Sequence, residues 1–345
     1  MAVVKLALKT QNGEAPQQDE VYNWEPVFGL LPSPLHSLIG SLPVEVLKNL
    51  EEIRLRRGRP LQVRWSGGEG WVAGGGGTTL DLGQARILQA GELQYALQAL
   101  TRNSLYALEE ELRLGYITIP GGHRVGLTGE AVVENGEVKT LKNITGLNIR
   151  LARSLTGCAR PLLPFLSDGQ NRPYNTLIIS PPRCGKTTLL RDLVRSFSLG
   201  LPPLPGGFNV AVVDERSEIA GCYQGIPQLD VGPRTDVLDR CPKASGMLML
   251  LRSMGPEIIA TDEIGRPPDL EALQEVLNAG VAVLATVHAP DIEALSRRPG
   301  WAPLLAAGVW QRLIVLSRRS GPGTVEAVFD GAGGKIQKLY LHPQT

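Results

Sequence analysis

Residues 176–197 read TLIISPPRCGKTTLLRDLVRSF. The first five, Thr176 to Ser180, have the unalternated pattern of a strand buried on both faces. Farther on, Leu189, Leu190, Leu193, Val194 and Phe197 recur at helical spacing. Between strand and helix lie Ser180, Pro181, Pro182, Arg183, Cys184, Gly185, Lys186, Thr187 and Thr188. This is the context of a phosphate-binding loop. Backbone N–H groups around Gly185 and the start of the helix can face polyphosphate oxygens. Lys186 brings a mobile positive charge, and Thr187 a hydroxyl for Mg²⁺. The loop departs from the full pattern in one respect, because Ser180 stands where a glycine opens it. The plainer alternative is a helix N-terminus with an incidental lysine.

Downstream, the same strand–helix alternation continues. Strands are expected at NVAVV (209–213), EIIAT (257–261), VAVLAT (281–286) and RLIVLS (312–317). Helices are expected at MLMLLRSM (247–254) and from Pro267 to a stop at Gly280. The region between NVAVV and MLMLLRSM reads as a polar loop. Alternation of this kind predicts a mostly parallel sheet with helices on both faces. Two strands end in acidic pairs, Asp214-Glu215 and Asp262-Glu263. Such pairs sit at the carboxyl edge of the sheet, where one carboxylate can hold Mg²⁺ and its neighbour can orient or deprotonate water. Each pair taken alone could equally cap a turn. His288 follows a further strand at that edge and reads either as a structural histidine or as a γ-phosphate sensor.

Upstream, the pattern is different. Residues 35–56 carry leucines at helical spacing, and 61–65 (LQVRW) a short strand followed by a glycine-rich hairpin or loop. Residues 91–108 suit an amphipathic helix or two. From 115 to 153 strands and turns alternate, with Asn135-Gly136 marking a two-residue hairpin. The expected organisation is a flexible segment at 1–20, a smaller α+β domain at 21–155 and an α/β domain at 156–345. A chain of 345 residues suits about two domains and needs no disulfide or metal staple.

Composition narrows the function classes. Net charge is +1, with 16 basic and 16 acidic residues through residue 155 and 19 and 18 after it. Neither half is a polycation, so bulk charge offers no case for nucleic acid. The one basic cluster, Arg54, Arg56, Arg57 and Arg59, reads as a solvated helix end or turn. Cys158, Cys184, Cys222 and Cys241 form no CxxC pair, which argues against structural zinc and for a reducing compartment. No apolar run approaches the ~18–20 residues of a membrane span. A membrane role would therefore be peripheral or through a partner.

The ordered set of motifs resembles the type II/IV secretion (traffic) ATPases, whose sequences run phosphate loop, acidic "Asp box", Walker B, His box. The resemblance rests on residues 250–289, and its sporulation branch is matched more closely at 120–153, 181–195, 212–225 and 312–326. It implies a RecA-like P-loop ATPase core behind the N-terminal domain, using ATP and Mg²⁺. It also implies a homo-hexameric ring that is cytoplasmic, peripheral to the membrane, and energises a membrane-embedded sporulation channel between mother cell and forespore. By the same resemblance, Lys186 is the phosphate lysine, Thr187 and Asp262 serve Mg²⁺, and Glu263 is the catalytic glutamate. Glu215 is the Asp-box acid and His288 the His-box histidine. Arg150 and Arg153, with Arg124 a weaker candidate, lie where the family places arginines that reach the γ-phosphate. Two other functions stay open: a nucleotide-gated binding module with little hydrolysis, suggested by Ser180, and a nucleic-acid motor, supported only by the Arg54–Arg59 cluster.

Overall fold

The computed structural model describes residues 24–101, 109–168, 172–331 and 335–337. The expected segment 1–20 and residues 102–108 of the helix expected over 91–108 lie outside them.

The first sheet is wholly antiparallel. Its strands are β1 (Leu50–Arg56), β2 (Gln62–Trp65), β3 (Gly68–Val72), β4 (Thr78–Thr79), β5 (Tyr116–Thr118), β6 (Arg124–Glu134) and β7 (Glu137–Arg150), in spatial order β4-β3-β2-β1-β7-β6-β5. Asn135 and Gly136 join β6 to β7 with φ of 54° and 82°. Both are left-handed, as the expected two-residue turn requires. The helices are α1 (Glu25–Phe28), α2 (Ser33–Gly40), α3 (Val44–Lys48), α4 (Ala90–Thr101) and α5 (Glu109–Leu114). They pack Val27, Leu35, Ile39, Val46, Leu93 and Leu112 onto Ile53, Leu55, Val63, Val125 and Ile149 of the sheet.

The helical expectation for 35–56 holds only to Lys48. From Leu50 the chain is strand, because Ile53-Arg54-Leu55-Arg56 alternates with period two and its apolar half meets a core. The Arg54–Arg59 cluster is therefore not a helix end: Arg54 and Arg56 lie on β1, and Arg57 and Arg59 are exposed in a turn, the other expectation. Arg54 pairs with Glu52 at 2.7 Å, and Arg56 donates to Gln62.

The second sheet contains β8 (Thr176–Ser180), β9 (Val210–Asp214), β10 (Thr235–Asp239), β11 (Ile258–Thr261), β12 (Ala282–His288), β13 (Arg312–Ser317), β14 (Thr324–Asp330) and β15 (Lys335–Gln337), in order β10-β9-β11-β12-β8-β13-β14-β15. The pairs from β10 across to β13 are parallel, and the last two are antiparallel. β10 lies inside the region expected to be a polar loop. It is an edge strand, half-exposed along its length, so it lacks the apolar run that marked its neighbours.

Alternation along β8 builds both faces. Ile178 meets Leu190, Leu193 and Phe197 of α6 (Lys186–Leu199) on one side. Leu177 and Ile179 meet Met247 of α7 (Lys243–Ser253), Leu273 of α8 (Pro267–Asn278) and Trp301 of α10 (Trp301–Ala306) on the other. Between α8 and α10, α9 (Ile292–Ser296) follows β12. The mostly parallel sheet with helices on both faces is thus the observed fold. Its topology carries the carboxyl ends of β8, β9, β11 and β12 to one edge.

Phe197 is fully buried and meets Phe208 edge-on, ring centroids 5.8 Å apart. Phe197→Ala should lower the unfolding free energy by about 3–5 kcal/mol in a urea titration.

Candidate functional site

The loop after β8 is set by two left-handed residues. Arg183 has φ 60°, and Gly185, which opens α6, has φ 87°. A Cβ at Gly185 would come within 3.0 Å of the Gly323 amide nitrogen, and that amide donates to the Cys184 carbonyl. The β13–β14 turn therefore rests on the loop and leaves room for glycine alone at 185. Ser180 is fully buried and is not among the residues of positive φ, so its Cβ costs the loop no backbone strain. Its hydroxyl donates to the Pro181 carbonyl at 2.8 Å and faces Lys186 Nζ at 3.4 Å.

Lys186 Nζ also reaches the Pro181 carbonyl at 3.2 Å and His288 Nδ1 at 2.8 Å. His288 Nε2 lies 2.5 Å from Glu263 Oε1. An ammonium donates only and a carboxylate accepts only, so the network assigns the neutral imidazole with its proton on Nε2. Arg216 Nη1 donates to the other Glu263 oxygen at 2.7 Å. Burial draws the Lys186 ammonium below its ordinary range, against the pull of Asp262 and Glu263. Burial tends to raise Glu263, but His288, Arg216 and Lys186 together hold its carboxyl below the usual range. Glu263 itself sits at φ 54°, a strained conformation for a non-glycine residue, and its amide donates to Thr286 Oγ1.

Asp262 is held by two hydroxyls. Thr187 Oγ1 donates to one oxygen at 2.5 Å and Thr286 Oγ1 to the other. Burial pushes its carboxyl up, and the two hydroxyls oppose that shift. The phosphate loop, β11 and β12 are thereby tied together at one point. Thr286 was missed in the sequence, although it lies two residues before His288 on one strand and so faces the same side.

The first acidic pair divides its work. Asp214 turns inward and accepts from the amides of Glu218, Ile219 and Ala220 at 2.8–2.9 Å, a turn-capping role. Glu215 pairs with Lys243 and lines a cleft shared with Arg216, Glu218, Asp262 and Glu263. Lys243 and Arg216 had no signal of their own in the sequence, since each stands in a polar loop or at a helix start.

The three arginines do not gather at the loop within this chain. Arg150 is 61% exposed and lies 3.6 Å from Glu52. Arg153 donates to the Lys48 and Leu50 carbonyls. Arg124 pairs with Glu218 at 2.6 Å and donates to the Arg216 carbonyl. Arg150 and Arg153 are thus held by the first sheet and its flank, whereas Arg124 reaches across to the 216–218 turn beside the cleft.

Burial pushes the Asp214 carboxyl up to about 6, against its amide donors, from an ordinary value of 3.8. A raised folded-state value means that the protonated form favours the fold. That contribution is complete below about pH 4 and is lost as pH rises through about 6. Across this window, urea unfolding should show the native chain losing stability relative to Asp214→Asn.

Residues 24–336 match the family described as Sporulation stage III, protein AA. The Stage III sporulation protein AA of Bacillus subtilis (strain 168) is 44% identical over 312 residues, which cover 90% of this chain and 96% of that protein. Among solved structures, the ATPase DotB of Legionella pneumophila is similar with a TM-score of 0.53 at 15% identity, over 87% of this chain and 78% of that one. The pilus retraction motor PilT, solved with ADP, gives 0.51 at 14% identity over 79% and 75%. These two likenesses establish the P-loop secretion-ATPase fold. With that fold and a family match over residues 24–336, the chain belongs to the stage III sporulation protein AA family.

Proposed function

We propose that this chain is a Mg²⁺-dependent ATPase that works as a motor on a membrane-embedded sporulation channel. The observation that carries the reading is the convergence of Lys186, Thr187, Asp262, Glu263 and His288 from β8–α6, β11 and β12. Residues Ser180 to Thr188 would cradle the triphosphate, with loop amides and Lys186 facing its oxygens. Thr187 and Asp262 would hold Mg²⁺. The hydroxyl and carboxylate already meet at 2.5 Å, and an all-oxygen pair suits that ion. Bound there, Mg²⁺ supplies neutralisation of phosphate charge.

Glu263 takes the proton of the attacking water, aimed by His288 on one oxygen and Arg216 on the other. His288, protonated on Nε2, keeps its Nδ1 lone pair toward Lys186 and reports on whether that lysine is engaged. Glu215, paired with Lys243, borders the same cleft. Arg150 and Arg153 serve a nucleotide only if the first-sheet unit moves or a neighbouring subunit presents them. A homo-hexamer provides that arrangement. The proposed division is a unit at 21–155 carrying the first sheet and one at 156–345 carrying the second.

Among the described residues no helix is long and apolar enough to cross a membrane. The proposed place is cytoplasmic, at the membrane through the channel partner. A nucleic-acid role keeps only half of its one cluster, because Arg54 and Arg56 are engaged by Glu52 and Gln62 and only Arg57 and Arg59 stay exposed. The nucleotide-gated module keeps a specific observation: Lys186 is bound to His288, Ser180 and Pro181.

Phosphate release from ATP and Mg²⁺ separates these readings. The motor predicts turnover in the native chain and loss of nucleotide binding in Lys186→Ala. Glu263→Gln should bind ATP normally and turn over about 10²-fold or more slowly. Native binding with turnover no faster than Glu263→Gln would instead select the gated module.

A further inference from the structure

Glu263 is gripped from a side that the phosphate loop does not supply. Arg216 leaves β9 two residues after Asp214 and places Nη1 2.7 Å from Glu263 Oε2. Its side chain is 57% exposed, so burial does not fix it. What fixes it is its own backbone. Arg124 of β6 donates to the Arg216 carbonyl and forms a 2.6 Å ion pair with Glu218, on the same turn. The Tyr116 hydroxyl of β5 reaches the same carbonyl at 3.4 Å, and the Arg124 guanidinium lies 4.2 Å from the Tyr116 ring centroid. Asp214 pins the far side of the turn through three amides. A continuous chain of polar contacts thus runs from the first sheet through Arg124 and Arg216 to Glu263, His288 and Lys186.

We propose that Arg216 is a positioning residue for Glu263, and that Arg124 sets Arg216, so that the seating of the first sheet on the 215–218 turn controls turnover. The inference rests on the ATPase reading above. A carboxylate held at one oxygen by His288 can still rotate about that contact. The second grip, on Oε2, fixes the plane in which its free lone pairs point. Arg216 acts through Glu263 and not on the phosphate. Its loss should therefore appear in the chemical step and leave nucleotide capture alone. When the first sheet shifts, Arg124 carries the 215–218 turn with it and the grip on Glu263 changes.

The test uses the full chain, with kcat and KM from phosphate release and affinity from a fluorescent ATP analogue. Arg216→Ala should lower kcat by about tenfold or more while KM and analogue affinity stay within about twofold. Arg216→Lys should recover part of the loss. Arg124→Ala should lower kcat in the same direction and add nothing to Arg216→Ala. Glu218→Gln, which breaks the ion pair while keeping the side-chain shape, gives the same reading should Arg124→Ala fold poorly. The proposal is overturned by an unchanged kcat in Arg216→Ala. It is also overturned by a loss confined to KM and analogue affinity, or by losses at Arg124 and Arg216 that simply multiply. Absence of turnover in the native chain would overturn the ATPase reading and this inference with it, whereas native turnover indifferent to Arg216 overturns this inference alone.

Discussion

Asp262 is the knot of the molecule's working edge. It is a half-buried carboxylate whose two oxygens are taken by hydroxyls from different elements, Thr187 at the start of α6 and Thr286 on β12. A carboxylate partly withdrawn from water is costly without partners, so the fold favours keeping both threonines in place. That preference holds the phosphate loop, the β11 end and the β12 end in one register. Lys186, Glu263 and His288 each lie one or two residues from a member of this knot. Their mutual hydrogen bonds follow from it. The parallel sheet supplies the rest, since it brings successive carboxyl ends to a common edge.

Most of that edge was legible in the sequence because its parts are local. A buried strand, a left-handed glycine and a helix with one apolar face are written within about twenty consecutive residues. The acidic pairs and His288 each end an apolar strand, and strand ends at one edge converge once the sheet is parallel. The α8 boundaries were legible for the same reason, with Pro267 at the start and Gly280 at φ 79° past the end. The Asn135-Gly136 turn was readable from two residues.

What failed was non-local. Leu50 continued a helical leucine spacing, but Ile53 is paired by β7 on one side and β2 on the other and Leu55 by β7, and strand pairing won. Among the described residues β10 pairs only with β9, and it stays half-exposed, so nothing in its own composition announced a strand. Arg216 and Thr286 owe their places to partners 47 and 24 residues away, which no spacing rule reaches. Arg150 and Arg153 show the converse. A family pattern placed them at a phosphate, and within one chain the first sheet keeps them at Glu52 and at the Lys48 and Leu50 carbonyls.

The two sheets meet through polar contacts more than through a shared core. Gly121 donates to Gln228, Arg240 pairs with Glu111, and Arg124 holds the 215–218 turn. Interfaces of this polar kind permit relative motion that a fused apolar core would resist. In the proposed motor, that motion and the chemistry at Glu263 are linked by the same few side chains.

The most direct test of the account is a structure of the chain with a non-hydrolysable ATP analogue and Mg²⁺. The account predicts the triphosphate on the amides of residues 184–187, Lys186 drawn off His288 Nδ1, and the metal held by Thr187 and Asp262. A nucleotide seated elsewhere, or none bound with Lys186 still on His288, would contradict it.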